Sequence, residues 1–457
     1  MVAKVAGGAP RCRCPEEETV AAGAARELEA AGARLRPRFR RPEAYGHAVD
    51  YLRGLVAEVE RKHGWQLAEQ AGYGHPRGIQ RVLDRSAWDA DAVRDDLREY
   101  VVAEVGDPAA VLVVDETGFP KQGRHSAGVA RQYCGTLGKR ANCQVGVFLG
   151  YASPTGHVGL DRALYLPQAW TDDRARCRAA GIPDAVPFQT KPQRALAMVE
   201  RALDAGVPAA WVAADEVSGN DSTFRRALEA RNQAYVLAVR RNQAVSTWPP
   251  YGPPDQLTVA TVMSRVPVDA WLRLSCGEGA QGPRLYDWAY VPVRPALRDD
   301  REPWVHGVLV RRHPERPDEL AFYLVYAPRD TPLGEVVRVA GARWTIDEMF
   351  KLAKGQVGLD HYEVRSWQGW YRHSTLALLA FAVLTISARH GARKRGRHSP
   401  RAAPATSPSR FPRSAGSSSA SSGPPRAHRP PSPQSWPGPA GVAATRKSPR
   451  TVTAVAA

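Results

Sequence analysis

The sequence predicts an α/β protein: a mixed sheet with flanking helices, interrupted by a β-rich insertion and preceded by a helical N-terminal domain. Three observations carry this. Two short apolar runs, AVLVVDETG and AAWVAADE, have the length and composition of strands buried on both faces. Segments with apolar residues at helical spacing stand before, between and after them. Residues 244 to 330 hold many short β-like runs (LTVATV, AWLRLSCG, LYDWAYVPVR, WVHGVLVRRH, LAFYLVYAP) between Pro, Gly and Asp turns.

Residues 1–40 are weakly patterned, end in the basic run RLRPRFRR, and are expected to be poorly ordered. Over 41–106 the period is helical. Tyr51, Leu52, Leu55, Val56 and Val59 recur at helix spacing, Ile79, Val82 and Leu83 follow the break at AGYGHPRG, and Val93, Leu97 and Val101 share a face after an acidic first turn. Such a unit is either a helix-turn-helix that binds DNA or a plain bundle. Residues 107–243 form the first part of the core. The strand around Asp115 leads to two strands joined by SPTG, a helix stopped at Gly206, the strand ending in Asp215, the helix NDSTFRRALEARN and the strand AYVLAVRRN. The insertion spans 244–330, and helices of the core return over 331–390, beginning with EVVRVAGARWTIDEMFKLAKG. Residues 391–457 hold twelve Lys or Arg, no acid, and runs of Ser, Pro and Gly, a composition expected to stay disordered.

Composition narrows the function. The net charge is +17, which points to a polyanionic partner such as nucleic acid. Most of that excess belongs to the tail, because residues 1–390 carry 51 Lys+Arg against 46 Asp+Glu. The apolar stretch TLALLAFAVLTISA, residues 375–388, is shorter than the roughly 18 to 20 residues that span a bilayer, and the N-terminus lacks a signal-peptide core. These features argue against secretion and membrane insertion. Six scattered cysteines suit a reducing cytosol, and the spacings of Cys12 with Cys14 and of Cys134 with Cys143 do not suit structural zinc.

The chemistry is expected at the carboxylates. Asp115 and Asp215 each end a predicted buried strand, and ligands gather at strand ends in such sheets. Alone, either could simply cap the next helix. In RWTIDEMFKLAK, Arg343, Asp347 and Lys354 are spaced by four and seven and so project from one helical face. Three carboxylates converging from two strands and a helix match phosphoryl transfer between nucleic acids, in which hard divalent ions take oxygen ligands.

The residues around these carboxylates resemble DDE-superfamily transposases of bacterial insertion sequences, over roughly residues 41–387. The resemblance rests on VLVVDETGFPKQGRHSAGVARQYCGTLGKRANCQVGVFLGYAS, on AADEVSGND and on RWTIDEMFKLAKGQVGLDHYEVRSWQGWYRH. It implies an RNase H-like core split by the insertion. It also implies an Arg-x3-Glu-x6-Lys signature, which falls on Arg343, position 347 and Lys354. By resemblance, Asp115, Asp215 and Asp347 hold two Mg²⁺, with Mn²⁺ able to substitute, and Arg343 and Lys354 orient the phosphate. The implied reaction cuts double-stranded DNA at terminal inverted repeats and joins the 3′-hydroxyl to target DNA. The implied protein is a homodimer on DNA, cytoplasmic and nucleoid-associated. Position 347 departs from the pattern, being Asp where the family has Glu; Glu348 is the fallback ligand, and Ala340 stands where some relatives have tyrosine.

Further basic and aromatic residues are candidates for DNA contact. Lys121, Arg124, His125 and Arg131 follow the first strand, and Arg365, Trp367, Trp370, Arg372 and His373 interleave near the end of the core. Each group has an ordinary reading as exposed loop or packed aromatics. Trp271, Trp288 and Trp304 could stack on a flipped base or belong to the core. Two other functions compete with the transposase: a transposase-derived DNA-binding protein without catalysis, and a metal-dependent nuclease without strand transfer. The abrupt end of the globular pattern after ISARHGA is what a frameshift in a GC-rich reading frame would produce, and a true basic tail would look the same.

Overall fold

A computed structural model describes residues 15–247, 255–279, 282–293 and 303–398. Five helices come first: α1 (Pro15–Leu35), α2 (Pro42–Val56), α3 (Gly64–Gln70), α4 (Arg77–Asp84) and α5 (Ala90–Val105). Then follow strands β1 (Val111–Pro120), β2 (Ala130–Cys134), β3 (Lys139–Ser153) and β4 (Gly156–Leu164), and helices α6 (Gln168–Thr171), α7 (Arg174–Ala179) and α8 (Lys191–Asp204). Next come β5 (Trp211–Ala214), α9 (Glu216–Gly219), α10 (Ser222–Ala230) and β6 (Ala234–Val239). The insertion supplies β7 (Ala244–Thr247), β8 (Asp255–Thr258), α11 (Val259–Ser264), β9 (Leu272–Gly279), β10 (Gly282–Val293), β11 (Trp304–Arg312) and β12 (Leu320–Pro328). Helices α12 (Leu333–Ala342), α13 (Trp344–Val357) and α14 (Trp367–His398) follow.

The class expected from the sequence is present: a mixed α/β sheet with helices around it. β1 runs antiparallel to β3 and parallel to β5, and β5 runs parallel to β6. β2 and β4 share the far edge of β3, pairing with its two ends. Local signals set the helix starts. Thr190 and Gln193 form a reciprocal capping box on α8, while Asp89 and Asp221 cap α5 and α10.

Several expectations change. The segment 15–35, read as poorly ordered, is a helix, because Ala31 and Leu35 bury against the rest of the protein and the helix lies along α14. Residues 1–14, the rest of the expected poorly ordered start, lie outside the described residues. β2 occupies what reads as loop, since its exposed–buried alternation is short and polar. The insertion does not form a sheet of its own. β12 pairs antiparallel with β6, and β11, β10 and β9 extend the same sheet, leaving only β7 and β8 as a separate ribbon. Trp288 is fully buried there and Trp304 stacks on Tyr326 at 4.8 Å, so both serve the core. The last core helix runs to His398, past the expected boundary at 390, and 399–457 lie outside the described residues.

That last helix is also longer than the apolar stretch predicts. Trp367–Gly391 would meet the length and composition of a membrane span, but two-thirds of it is buried inside the protein. It packs on α1, α2, α4, α5 and β4, which makes it the axis of the helical half. A buried polar contact fixes its register there. The Tyr51 hydroxyl donates to Nδ1 of His373 at 2.8 Å, and Nε2 of His373 lies 3.2 Å from the carbonyls of Gly358 and Leu359. Trp370 and His373, considered above for gripping DNA, are thus fully buried core.

Burial pulls the pKa of His373 down to about 4, so the folded state keeps it neutral while the unfolded chain protonates near 6.5. Its contribution is therefore complete above pH 6.5 and is lost as pH falls toward 4, by up to about 3 kcal/mol. Urea midpoints of the native protein should drop over that window relative to the double variant Tyr51→Phe, His373→Leu, which removes the titration.

Candidate active site

The pairing of β1 with β5 places the first two carboxylates. Their parallel register ends at Val114 opposite Ala214, so Asp115 and Asp215 are the next residues on each strand. Both follow directly on the end of that ladder, near enough for the charge of Asp215 to act on Asp115. β1 does not stop at Asp115, as the sequence suggested, but continues to Pro120 against β3. The chain at Asp215 does turn away. Its Oδ1 accepts from the amides of Val217 and Ser218 at 3.1 Å, capping α9. The helix-capping reading holds here, and because the cap uses one oxygen it leaves the other available to a site. A side chain at Gly219 would collide with the Ala238 carbonyl, which is why this tight corner needs glycine.

The helical face arrives from above. α12 and α13 break at Arg343, where a single helix reads from the sequence, and Nη1 of Arg343 reaches Oδ2 of Asp115 at 3.4 Å. Asp347 opens to solvent at the rim, one turn along. Seven residues later Nζ of Lys354 donates to the hydroxyls of Thr117 at 2.8 Å and Thr136 at 3.0 Å. Thr117 lies two residues beyond Asp115 and so on the same face of β1. α13 therefore runs alongside β1, with Arg343 over the carboxylates and Lys354 further along. Glu348 points elsewhere, toward Nε2 of His157 at 4.0 Å.

Electrostatics binds these groups together. Burial, then the charge of Asp215, pushes the Asp115 pKa up to about 7, with Asp347 adding to the rise and Arg343 and the Glu116 amide opposing it. Burial raises Asp215 against its two capping amides, Arg343 and Lys191. Burial also raises Asp347, against Arg343. One guanidinium thus serves three carboxylates. Lys191 and Glu116 form an ion pair beneath, on the opposite face of β1. These two, with Thr117 and Thr136, are site neighbours that the spacing of acids did not reveal; the DET of VVDETGF was the available signal.

An all-oxygen donor set on a crowded, repelling pair fits a hard divalent cation. Asp115 and Asp215 are the pair that would hold it. Among the described residues no three His, Cys, Asp or Glu side chains close around one point, although the charge of Asp347 reaches Asp115.

Most of the residues expected at DNA lie apart from this cluster. Lys121 is half-buried over the Tyr362 ring at 3.7 Å, and burial lowers its pKa to about 8. Arg124, Arg131 and Arg365 are exposed, while Trp367 is half-buried against Tyr371. Arg372 is a correction. It is 2% exposed, with its guanidinium on the carbonyls of Leu83 at 3.3 Å and Trp88 at 2.7 Å, where it ties the end of α4 to α14. A polar residue every few positions on an amphipathic helix reads as surface, and only the partner carbonyls reveal this one as core.

Residues 34–258 match a family model described as DDE superfamily endonuclease, a range that contains Asp115 and Asp215 but not Asp347. The probable transposase for insertion sequence element IS701 of Microchaete diplosiphon is 29% identical over 209 residues, which cover 44% of this chain and 51% of that protein. The chain thus spans about half the length of this relative. A solved structure described as the cryo-EM structure of piggyBac transposase synaptic complex with hairpin DNA superposes with a TM-score of 0.39 and 11% identity, over 84% of this chain and 77% of that one.

At pH above 7 the raised pKa of Asp115 costs the folded state on the order of a few kcal/mol, fading as pH falls through 7 toward the unfolded value near 4. Asp115→Asn should therefore melt several degrees higher than the native protein in metal-free buffer at pH 8. Mg²⁺ should raise the melting temperature of the native protein and leave that of the variant unchanged.

Proposed function

The chain belongs to the DDE endonuclease superfamily, and from this premise we propose that it is an insertion-sequence transposase, cutting DNA at the ends of its element and transferring the 3′-hydroxyl strands to target DNA. The observation that supports this best is the pair Asp115 and Asp215 at the end of a parallel ladder, with the charge of Arg343 acting on both and on Asp347. Asp115, Asp215 and Asp347 would hold Mg²⁺, with Mn²⁺ as substitute. A divalent cation held by these carboxylates would supply activation of the attacking water or 3′-hydroxyl and stabilisation of the leaving oxygen.

The chain's own residues do the positioning. Arg343 leaves its contact with Asp115 for the scissile phosphate, where its planar fork matches two phosphate oxygens. Lys354, seated between two threonine hydroxyls, presents a point charge along the same line. Asp215 stays fixed by its cap while charge moves, which lowers the cost of reorganisation. The basic exposed residues Arg124, Arg131 and Arg365 provide contacts to the DNA backbone. The protein acts in the cytoplasm on two paired ends, as a homodimer.

A second reading, a DNA-binding protein that has lost cleavage, is favoured by Asp347, whose carboxylate sits one methylene further back than glutamate would. Incubating the protein with DNA carrying the element's ends and Mg²⁺ or Mn²⁺ separates the readings. Nicking followed by joined product is expected. Retained binding without nicking would establish the second reading, and nicking without joining a plain nuclease. Asp115→Asn and Asp215→Asn should each lower cleavage by roughly a thousandfold or more, with DNA binding retained in a gel-shift assay. Asp347→Glu should maintain or raise the rate, and intact cleavage in Asp347→Ala would remove Asp347 from the ligand set.

A further inference from the structure

A second cleft, of about 830 Å³, opens beside the edge strand β4, between α5, α8 and the start of α14. Ion pairs line part of it. Arg162 donates to Asp91 at 2.9 Å and to Thr375 at 2.7 Å. Arg94 pairs with Asp91 and Asp95, and Arg201 with Asp161 at 2.9 Å. Arg194 behaves differently. The residue is 6% exposed, and its Nε and Nη2 are buried without a hydrogen-bond partner. Burial pulls its pKa down, and the titratable groups set against that are the neutral phenols Tyr371 and Tyr165 rather than a carboxylate. Among the described residues no carboxylate compensates it. A structural arginine would be paired as its three neighbours are, because an uncompensated buried cation is strongly unfavourable.

The surroundings suit a particular anion. Arg201 lies seven residues beyond Arg194 on the same face of α8, so two guanidinium groups border the cleft. Trp367 and Tyr371 line the same space with ring centroids 4.7 Å apart. A guanidinium fork matches phosphate oxygens, and aromatic faces stack on any base. The volume is ample for one nucleotide.

We propose that this cleft binds one nucleotide of a DNA strand, its phosphate on Arg194 and its base against Trp367 and Tyr371. The choice of DNA as the source rests on the transposase reading; the phosphate site itself does not. The cleft lies at the β4 edge, two strands removed from β1, so it grips the strand at a point away from the chemistry.

The test uses the full chain without metal, followed by thermal melting and by competition with a fluorescent single-stranded oligonucleotide. Inorganic phosphate should raise the melting temperature, thymidine 5′-monophosphate should act at about tenfold lower concentration, and thymidine should do nothing. Arg194→Met should melt higher than the native protein without phosphate, having lost an unpaired buried charge, and should lose both responses. Arg194→Lys keeps the charge without the fork and should bind phosphate about tenfold more weakly. Responses unchanged in both variants would overturn the site. Phosphate and the monophosphate acting equally would overturn the base contact, and failure of the oligonucleotide to compete with the monophosphate would overturn the DNA assignment in favour of a free nucleotide. None of these readouts depends on cleavage, so loss of the transposase reading and loss of this site register separately.

Discussion

Two like charges forced side by side govern the centre of this molecule. The parallel register of β1 and β5 leaves no freedom in where Asp115 and Asp215 stand, and the sheet around them excludes the water that would screen their repulsion. Everything nearby reads as a response to that. Two amides hold one oxygen of Asp215, the α12–α13 break delivers Arg343 onto Asp115, and Lys191 balances Glu116 from the far face. A protein selected for stability alone would have replaced one carboxylate with an apolar side chain. Retaining both makes sense when a cation is to be seated there.

The same logic explains why Arg343 sits at a helix junction rather than within a helix. A guanidinium carried by a continuous helix would keep its place relative to Asp347 one turn on. At the junction its backbone belongs to the start of α13 while α12 is held against β9 and β6 by its own contacts. The group that offsets the repulsion of these carboxylates is thus held at a junction between two helices rather than inside either.

Much of this was legible in the sequence, and the failures share a cause. Apolar runs of strand length announced β1 and β5, and the four-and-seven spacing grouped Arg343, Asp347 and Lys354, of which the last two lie on α13 and the first at its start. Periodicity reports how a residue relates to its own element, and it is silent about the partner. Arg372 and His373 looked like surface groups because nothing local reveals the carbonyls of Leu83 and Trp88 or the hydroxyl of Tyr51, each about 290 to 320 residues away in sequence. The helix at 15–35 was missed for the same reason, its low amphipathicity being compensated by contact with α14. The insertion was correctly read as β-rich, but only strand pairing reveals that β12 continues the central sheet.

The position of α14 has a bearing on how this architecture can be taken apart. The helix belongs by chain order to the catalytic half, yet its apolar surface is shared out among β4 and four N-terminal helices. A polypeptide beginning at residue 107 would retain all three aspartates and uncover the long flank of α14 that α1, α2, α4 and α5 now shield. The N-terminal helices and the sheet thus share one hydrophobic core through α14, and a cut between them would expose apolar surface rather than separate two closed modules.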